Sequence, residues 1–489
     1  MELHKLLLEE TDEDVVLNAL KELIKNSEWD GKVYLVGGAV RDEIMGKKPK
    51  DLDFVVNGDL NAGIDFSIWL AEKLGNHKKG SNPVVYPRFG TSKLSLTNNN
   101  KGLPEIELEF VAPRREEYDG KSRKPNVSGG DLKAEVERRD LTINSLLKNI
   151  SNNEVLDLSG YGVKDIENGI IRTTSDPDVI FKEDPLRMLR AVRFAVKYDF
   201  KFSTEVLKGI KKNAHLINNI SSERIADELN KILLSPDPKK GIRLLKVTDL
   251  LKYVIEEFND AIGMKQNQHH KDDVFMHTMD VLSKTPPELK TRLMALFHDI
   301  GKVLTKTVTP EGSVHFYNHE EEGAKMVETI MRRLKYPNEL TKSVVSGVRH
   351  HMRLKHGGDE GNVSDKSLRK FVAAVGENLE NILDLIHADN ISHSEHSSMP
   401  NQISNIKKKL DTLNMQLDKN KPKLPINGND LIAIGFKQGP EIKIALNAVE
   451  EAYYDDPNLD RETAINIARS TKVDKEINEI KNFISRMMD

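Results

Sequence analysis

Apolar residues set the first pattern: Val16, Ala19, Leu20, Leu23 and Ile24 recur at helical spacing and predict an amphipathic helix over 5–28. From residue 33 the period shortens. Val33-Tyr34-Leu35-Val36 is a short apolar run ending in Gly37-Gly38, Leu52-Asp53-Phe54-Val55-Val56 is another, and a short helix over 39–46 fits between them. Two further strands are predicted at 91–96 and 106–111, joined as a hairpin through Asn98-Asn99-Asn100-Lys101-Gly102. The polar segment 114–131, rich in Arg, Lys and Gly, reads as a mobile loop. Strand signals fade after about residue 180, where Leu186, Leu189, Arg190, Val192, Arg193 and Val196 open a helical pattern that runs, with breaks, toward the C-terminus. The pattern describes a small α+β head followed by a mostly helical remainder, with Lys419 to Pro425 as the best late linker.

With 489 residues, the chain exceeds what one hydrophobic core organises, so two to four domains are expected. No run approaches the length of a membrane span, and Met1-Glu2-Leu3-His4 does not begin a signal segment, so a cytoplasmic protein with no membrane partner is expected. There are 0 cysteines, which leaves His, Asp and Glu as the strong metal ligands. The net charge of −4 neither supports nor opposes a nucleic-acid partner. Histidine is informative: 12 of the 15 lie between His269 and His396, which points to a separate metal-using domain.

The chemistry begins at Asp51 and Asp53. Two apart on an apolar strand, they share one face of the sheet, as carboxylates must to hold divalent ions against a triphosphate. Gly37 and Gly38 end the preceding strand, where backbone N–H groups can approach phosphate, and Arg41 can reach back to neutralise it. Glu107 and Glu109 alternate on the neighbouring edge and offer a third carboxylate. A lone Asp-x-Asp or a lone Gly-Gly says little; both together, with Arg41-Asp42 at fixed spacing, are hard to dismiss.

Leu35-Val36-Gly37-Gly38-Ala39-Val40-Arg41-Asp42, followed by Asp51-Leu52-Asp53, resembles motif A of the class II CCA-adding tRNA nucleotidyltransferase and bacterial poly(A) polymerase family. The resemblance continues in order through Arg88-Phe89-Gly90-Thr91, Arg114-Arg115-Glu116, Arg138 to Asn144, Asp157 to Asp165, Glu183-Asp184-Pro185-Leu186-Arg187, and Ser222 to Leu229. It implies a polymerase-beta-like α+β head, an all-α neck and body, and template-independent addition of C and A to the 3′ end of tRNA from CTP and ATP. By the same resemblance, Asp51, Asp53 and Glu109 are catalytic, with Mg²⁺ on the two aspartates. Gly37, Gly38, Arg41, Arg139, Asp140, Asn144, Asp184, Arg187, Arg190 and Arg193 bind the nucleotide. Arg139, Asp140 and Asn144 would read the ribose. Asp184 and Arg187, three apart on one helix face with Glu183 positioning Arg187, would read the base. Asp157-Leu158-Ser159-Gly160-Tyr161-Gly162 departs from the usual pattern of the hinge motif, and the loops at 97–104 and 114–131 look individual.

A second ordered set follows: His277, His298-Asp299 within Phe297-His298-Asp299-Ile300-Gly301-Lys302, His319, His350-His351 and Asp389. Neutral imidazoles with carboxylates form an N/O set for a divalent ion that activates water, and Lys302 could bind substrate phosphate. The set resembles the HD phosphohydrolase superfamily, which implies a site of His277, His298, Asp299, His319, His350 and Asp389 holding a transition metal or Mg²⁺. His351 competes with His350 by adjacency. Such a site could trim phosphorylated or 2′,3′-cyclic RNA ends before addition. Leu424 to Leu431, then Gly435-Phe436 and Gly439 to Ile442, resembles the C-terminal element of tRNA nucleotidyltransferases that carry HD domains.

The expected division is a head over 1–160, a helical neck over 161–262, an HD domain over 263–415 and a tRNA-binding helical tail over 416–489. Rival readings are a poly(A) polymerase, an A-only or CC-only enzyme, or an HD phosphohydrolase whose head merely senses nucleotide.

Overall fold

Strand β1 (Val33–Val36) is buried along its whole length and hydrogen-bonds on both edges. Around it the computed structural model, which describes residues 13–49, 51–74, 82–96, 106–117, 126–266, 272–413 and 423–472, forms a seven-stranded sheet. Its other strands are β2 (Leu52–Val56), β3 (Val84–Tyr86), β4 (Thr91–Leu96), β5 (Ile106–Val111), β8 (Leu147–Asn149) and β9 (Val155–Leu156), in the order β3-β4-β5-β2-β1-β8-β9. Among the described strands of this sheet, only β2 and β5 pair in parallel, and their register sets Asp53 opposite Glu109.

Helix α1 (Glu13–Ile24) buries Val16, Ala19, Leu20 and Ile24, the stripe expected from the pattern; residues 5–12 lie outside the described part. Helix α2 (Gly38–Ile44) follows β1, and α3 (Ala62–Lys73) covers the sheet. Gly63 permits that cover, since a Cβ there would stand 2.9 Å from the Val111 carbonyl carbon. Beneath it, Phe54 and Phe110 stack at 5.2 Å and Phe66 meets Phe110 edge-on at 5.1 Å. Buried rings of this kind contribute about 1.5–3 kcal/mol each through burial alone.

The segment expected to be a loop at 114–131 instead contributes β6 (Arg114–Glu117) and β7 (Asn126–Gly129), paired antiparallel; backbone pairing satisfies its polar groups. The turn proposed for 98–102 lies outside the described residues.

The remainder of the first unit is helical: α4 (Leu132–Glu137), α5 (Gly162–Asn168), α6 (Pro177–Glu183), α7 (Leu186–Lys197), α8 (Thr204–Asn213), α9 (Ser222–Leu233), α10 (Pro238–Val247) and α11 (Leu251–Val254). A small parallel pair, β10 (Ile170–Ile171) with β11 (Lys201–Phe202), interrupts it. The chain divides into two compact units, Met1–Glu256 and Glu257–Asp489.

The second unit packs α12 (Val274–Lys284), α13 (Leu289–Phe297), α14 (Lys302–Thr305), α15 (His319–Arg333), α16 (Asn338–His350), α17 (Asp365–Val375), α18 (Leu379–Asn390) and α19 (Gln402–Thr412). A hairpin of β12 (Lys306–Val308) and β13 (Val314–Phe316) stands between α14 and α15, a late strand pair that the fading signals did not announce. The end of the described chain holds α20 (Gly428–Ala433), α21 (Pro440–Asp455) and a helix at 461–472 around Leu431, Phe436, Val449 and Ala468. Asn427 caps α20 in a capping box with Asp430, as expected, while most of the linker at 419–425 lies outside the described residues. None of the described helices is long and apolar enough to cross a membrane.

Candidate active sites

In the head, Asp53 and Glu109 face a recess of about 220 Å³ lined also by Thr91, Arg114, Arg138 and Arg139. Burial pushes the Asp53 carboxyl up, and the neighbouring charges of Glu109 and Asp51 add to the effect. Lys93 lies 3.5 Å from Glu109 and also pairs with Glu107, so Glu107 belongs to that ion pair at the edge. A partly desolvated carboxylate crowded by two others is the electrostatic signature of a cation site, and Asp51, Asp53 and Glu109 fit Mg²⁺ on that ground. Among the described residues, however, they are not drawn within 4.8 Å of one another as the histidine groups of the second unit are.

Two of the groups expected at phosphate are engaged within the protein. The Gly37 N–H donates to the Leu146 carbonyl at 3.3 Å, although its positive φ of 73° does make the tight turn that glycine allows. A Cβ on Gly37 would meet the Arg139 Nη1 at 3.3 Å, and one on Gly38 the Arg41 Nη2 at 3.3 Å, so both glycines make room for arginines. Arg41 is buried, donates to Asp42 at 2.7 and 2.9 Å and to the Asn144 side chain, and lies 4.6 Å from the Tyr198 ring centre. Its reason is position, since the first turn of α2 points the guanidinium inward against α7.

The residues expected to read the nucleotide are each held by hydrogen bonds or ion pairs within the protein. Asn144 donates to Asp140 at 3.3 Å, and Asp140 accepts from Arg190 at 2.6 Å. Burial would raise the Asp140 carboxyl, but Arg190 outweighs it and holds it below the usual range. Arg193 pairs with Glu228 at 2.8 Å, and Arg139 with Glu135 at 3.0 Å.

Asp184 and Arg187 do not share a helix, contrary to expectation. Pro185 cannot continue α6, so Asp184 terminates it while Arg187 lies in the first turn of α7. They remain neighbours: the Asp184 carboxylate accepts from the Leu186 N–H at 3.1 Å and from Arg224 at 2.8 Å. Glu183 holds Arg187 at 2.9 Å, as expected, and Arg187 also donates to the Arg138 carbonyl at 2.8 Å.

In the second unit, His277, His298, Asp299, His319 and Asp389 gather with His351, while His350 is left out. Asp299 turns Oδ2 to His277 at 3.6 Å and His298 at 3.3 Å, and Oδ1 to His319 at 3.4 Å and His351 at 3.9 Å. His277 Nε2 lies 2.9 Å from Asp389.

The tautomers follow from the backbone. The Nδ1–H groups of His298, His319 and His351 donate to the carbonyls of Ala295, Phe316 and Val348 at 2.8, 2.9 and 2.6 Å. Each ring therefore presents an Nε2 lone pair to the cluster. The His298 Nε2 is buried and makes no aligned hydrogen bond among the described residues. Converging lone pairs around two carboxylates fit divalent metal, with Asp299 able to bridge. Burial would raise both carboxyls, but Lys302 beside Asp299, and Lys355 and His277 beside Asp389, hold them well below the usual range.

Sequence reasoning missed Lys355, 2.5 Å from Asp389, and His393, whose Nδ1 donates to the Asp389 carbonyl at 2.7 Å. The i+4 spacing from Asp389 was the one signal for His393. Lys302 was expected at substrate phosphate, but its ammonium is held by Asp299 at 2.6 Å and Gln266 at 2.7 Å.

Fold and sites together define a nucleotidyltransferase head joined to a helical HD metal domain. Residues 33–172 match the Poly A polymerase head domain family, 199–262 the "Probable RNA and SrmB- binding site of polymerase A", and 245–392 the HD domain family. A multifunctional CCA protein of Nitrosococcus oceani is 30% identical over 67% of this chain and 76% of its own. A CC-adding tRNA nucleotidyltransferase of Thermus thermophilus is 27% identical over 86% of this chain and 89% of its own. Among solved structures, the Bacillus stearothermophilus CCA-adding enzyme in complex with CTP superposes with a TM-score of 0.62 at 20% identity, covering 94% of this chain and 98% of that one. The chain belongs to the family of CCA-adding tRNA nucleotidyltransferases that carry an HD domain.

Proposed function

We propose that this chain adds C and A residues to the 3′ end of tRNA from CTP and ATP. The observation that carries the reading is the Asp53–Glu109 pair, set opposite one another by the parallel β2–β5 register at a recess lined by arginines. The terminal 3′-oxygen bonds the α-phosphorus as the α–β bridge breaks, and pyrophosphate leaves. Mg²⁺ on Asp51 and Asp53, with Glu109 beside it, would neutralise charge on the triphosphate. Asp140 and Asn144 hold the ribose hydroxyls, while Asp184 and Arg187 present an acceptor and donors to the Watson–Crick edge of C or A.

The working division is a head over 1–160, a neck over 161–262, an HD domain over 263–415 and a tRNA-gripping tail over 416–489, acting in the cytoplasm. The HD cluster, holding a transition metal or Mg²⁺ on His277, His298, Asp299, His319, His351 and Asp389, hydrolyses phosphomonoesters or cyclic phosphates at RNA ends. Water's oxygen joins phosphorus and the ribose oxygen departs with a proton, restoring the hydroxyl that the head extends.

Incubating tRNA that ends at the discriminator base, C, CC or CCA with CTP and ATP, singly and together, tests the reading by product length. Addition of CCA and no more supports it; a homopolymer of A, or no extension by a folded enzyme, overturns it. Asp53→Ala should lower addition by at least about a thousandfold.

A further inference from the structure

At the mouth of the histidine cluster the β12–β13 hairpin carries an aromatic surface that the hydrolytic reading leaves unused. The rings of His315 and Tyr317 lie parallel, 9° apart in plane with centres at 5.2 Å, and Tyr317 is 70% exposed. Both line the same cavity as Asp299 and Asp389, a space of about 530 Å³ that also takes in Lys302 and Lys355. The coupling is short and covalent. Tyr317 stands two residues before His319, and Phe316, the last residue of β13 and the one just before Tyr317, supplies the carbonyl that orients the His319 ring. A ring already held parallel to a neighbour loses little freedom when a third ring stacks on it.

An exposed tyrosine backed by a half-buried histidine, beside a pocket of nucleotide size lined by carboxylates and lysines, has the chemistry of nucleobase recognition. We propose that His315 and Tyr317 form a base-stacking platform, so that the HD site selects phosphoesters carried on a nucleoside over baseless ones. The inference rests on the hydrolytic reading of the cluster and names its substrate class. The phosphoryl group sits toward the histidines and the base of the same nucleotide lies on Tyr317. Tyr317 is a specificity residue, since it touches the base and no reacting atom.

The test uses the full chain loaded with divalent metal, and the probes are adenosine 2′-phosphate and glycerol 2-phosphate, which differ by the base. Calorimetric affinity and the ratio of kcat/KM for the two are measured in wild type, Tyr317→Phe and Tyr317→Ala. Nucleotide binding at the head is common to all three proteins and cancels in the comparison. Wild type should prefer the nucleotide by at least about tenfold, Tyr317→Phe should keep that preference, and Tyr317→Ala should lower it to near one. The proposal is overturned alone if wild type hydrolyses both probes with equal kcat/KM, or if Tyr317→Ala keeps the preference. It falls together with the hydrolytic reading if folded, metal-loaded wild type hydrolyses neither probe. Thermal unfolding of each variant separates a lost platform from a lost fold.

Discussion

The Nε2 atoms of His319 and His351 lie 3.3 Å apart, although each ring has given its Nδ1 proton to a backbone carbonyl. Two acceptors at that distance repel unless a cation stands between them or one ring takes a second proton. Burial holds the His351 imidazole well below its ordinary value, so protonation there is disfavoured and metal is the natural resolution. His351→Ala should lower bound divalent metal, read by elemental analysis, and remove the rise in melting temperature that metal produces. His350→Ala should leave metal content as it is, and equal losses from both variants would refute the assignment.

The same neighbours predict an acid limb. Burial, aided by Arg353 and Arg349, pushes His350 down to about 4, whereas an unfolded histidine titrates near the ordinary 6.5. Below pH 6.5 the unfolded chain takes up a proton that the folded chain refuses until about 4, so stability is full above that window and falls as pH drops through it. The slope is at most about 1.4 kcal/mol per pH unit for the group. His350→Gln should flatten the pH 5–6.5 part of a urea-midpoint profile; an unchanged slope counts against the burial argument.

Arg41 links the glycine turn to α7 through Asp42, Asn144 and the Tyr198 ring, and Tyr198 in turn donates to Asp42 at 3.1 Å. Truncating one member of such a buried charged network costs about 3–5 kcal/mol. Arg41→Ala should therefore appear as a stability loss in denaturant titration, and activity should fall with the folded fraction. A variant with wild-type stability and a raised KM for nucleoside triphosphate would restore the phosphate-binding role instead.

Asp184 and Arg187 answer to different partners, Arg224 and Glu183, so their substitutions should differ in kind. On the proposed reading, Arg187→Ala removes donors from the base and should reduce discrimination of CTP and ATP against GTP and UTP by about 10–100-fold in kcat/KM. Arg224→Ala frees the Asp184 carboxylate and should alter KM with a smaller change in the C-to-A ratio. Unchanged selectivity in Arg187→Ala would place base choice elsewhere.

The sequence by itself determined the order of the chemistry. Alternating short apolar runs placed Asp53 and Glu109 on strands, and the tandem His298-Asp299 marked the second centre, because strand alternation and motif spacing are local properties. What depends on packing was not legible. His350 and His351 are adjacent at the end of α16, about 100° apart around the axis, and only the helices packed against that end decide which ring faces His319. Motif spacing gave no sign that Tyr198, just past the end of α7, covers the Arg41 guanidinium. Lys355 and Asp389, 34 positions apart, meet in a contact no spacing encodes. Local pattern fixes which residues share a face, while the partner of a buried charge is chosen by whatever long-range packing excludes from water.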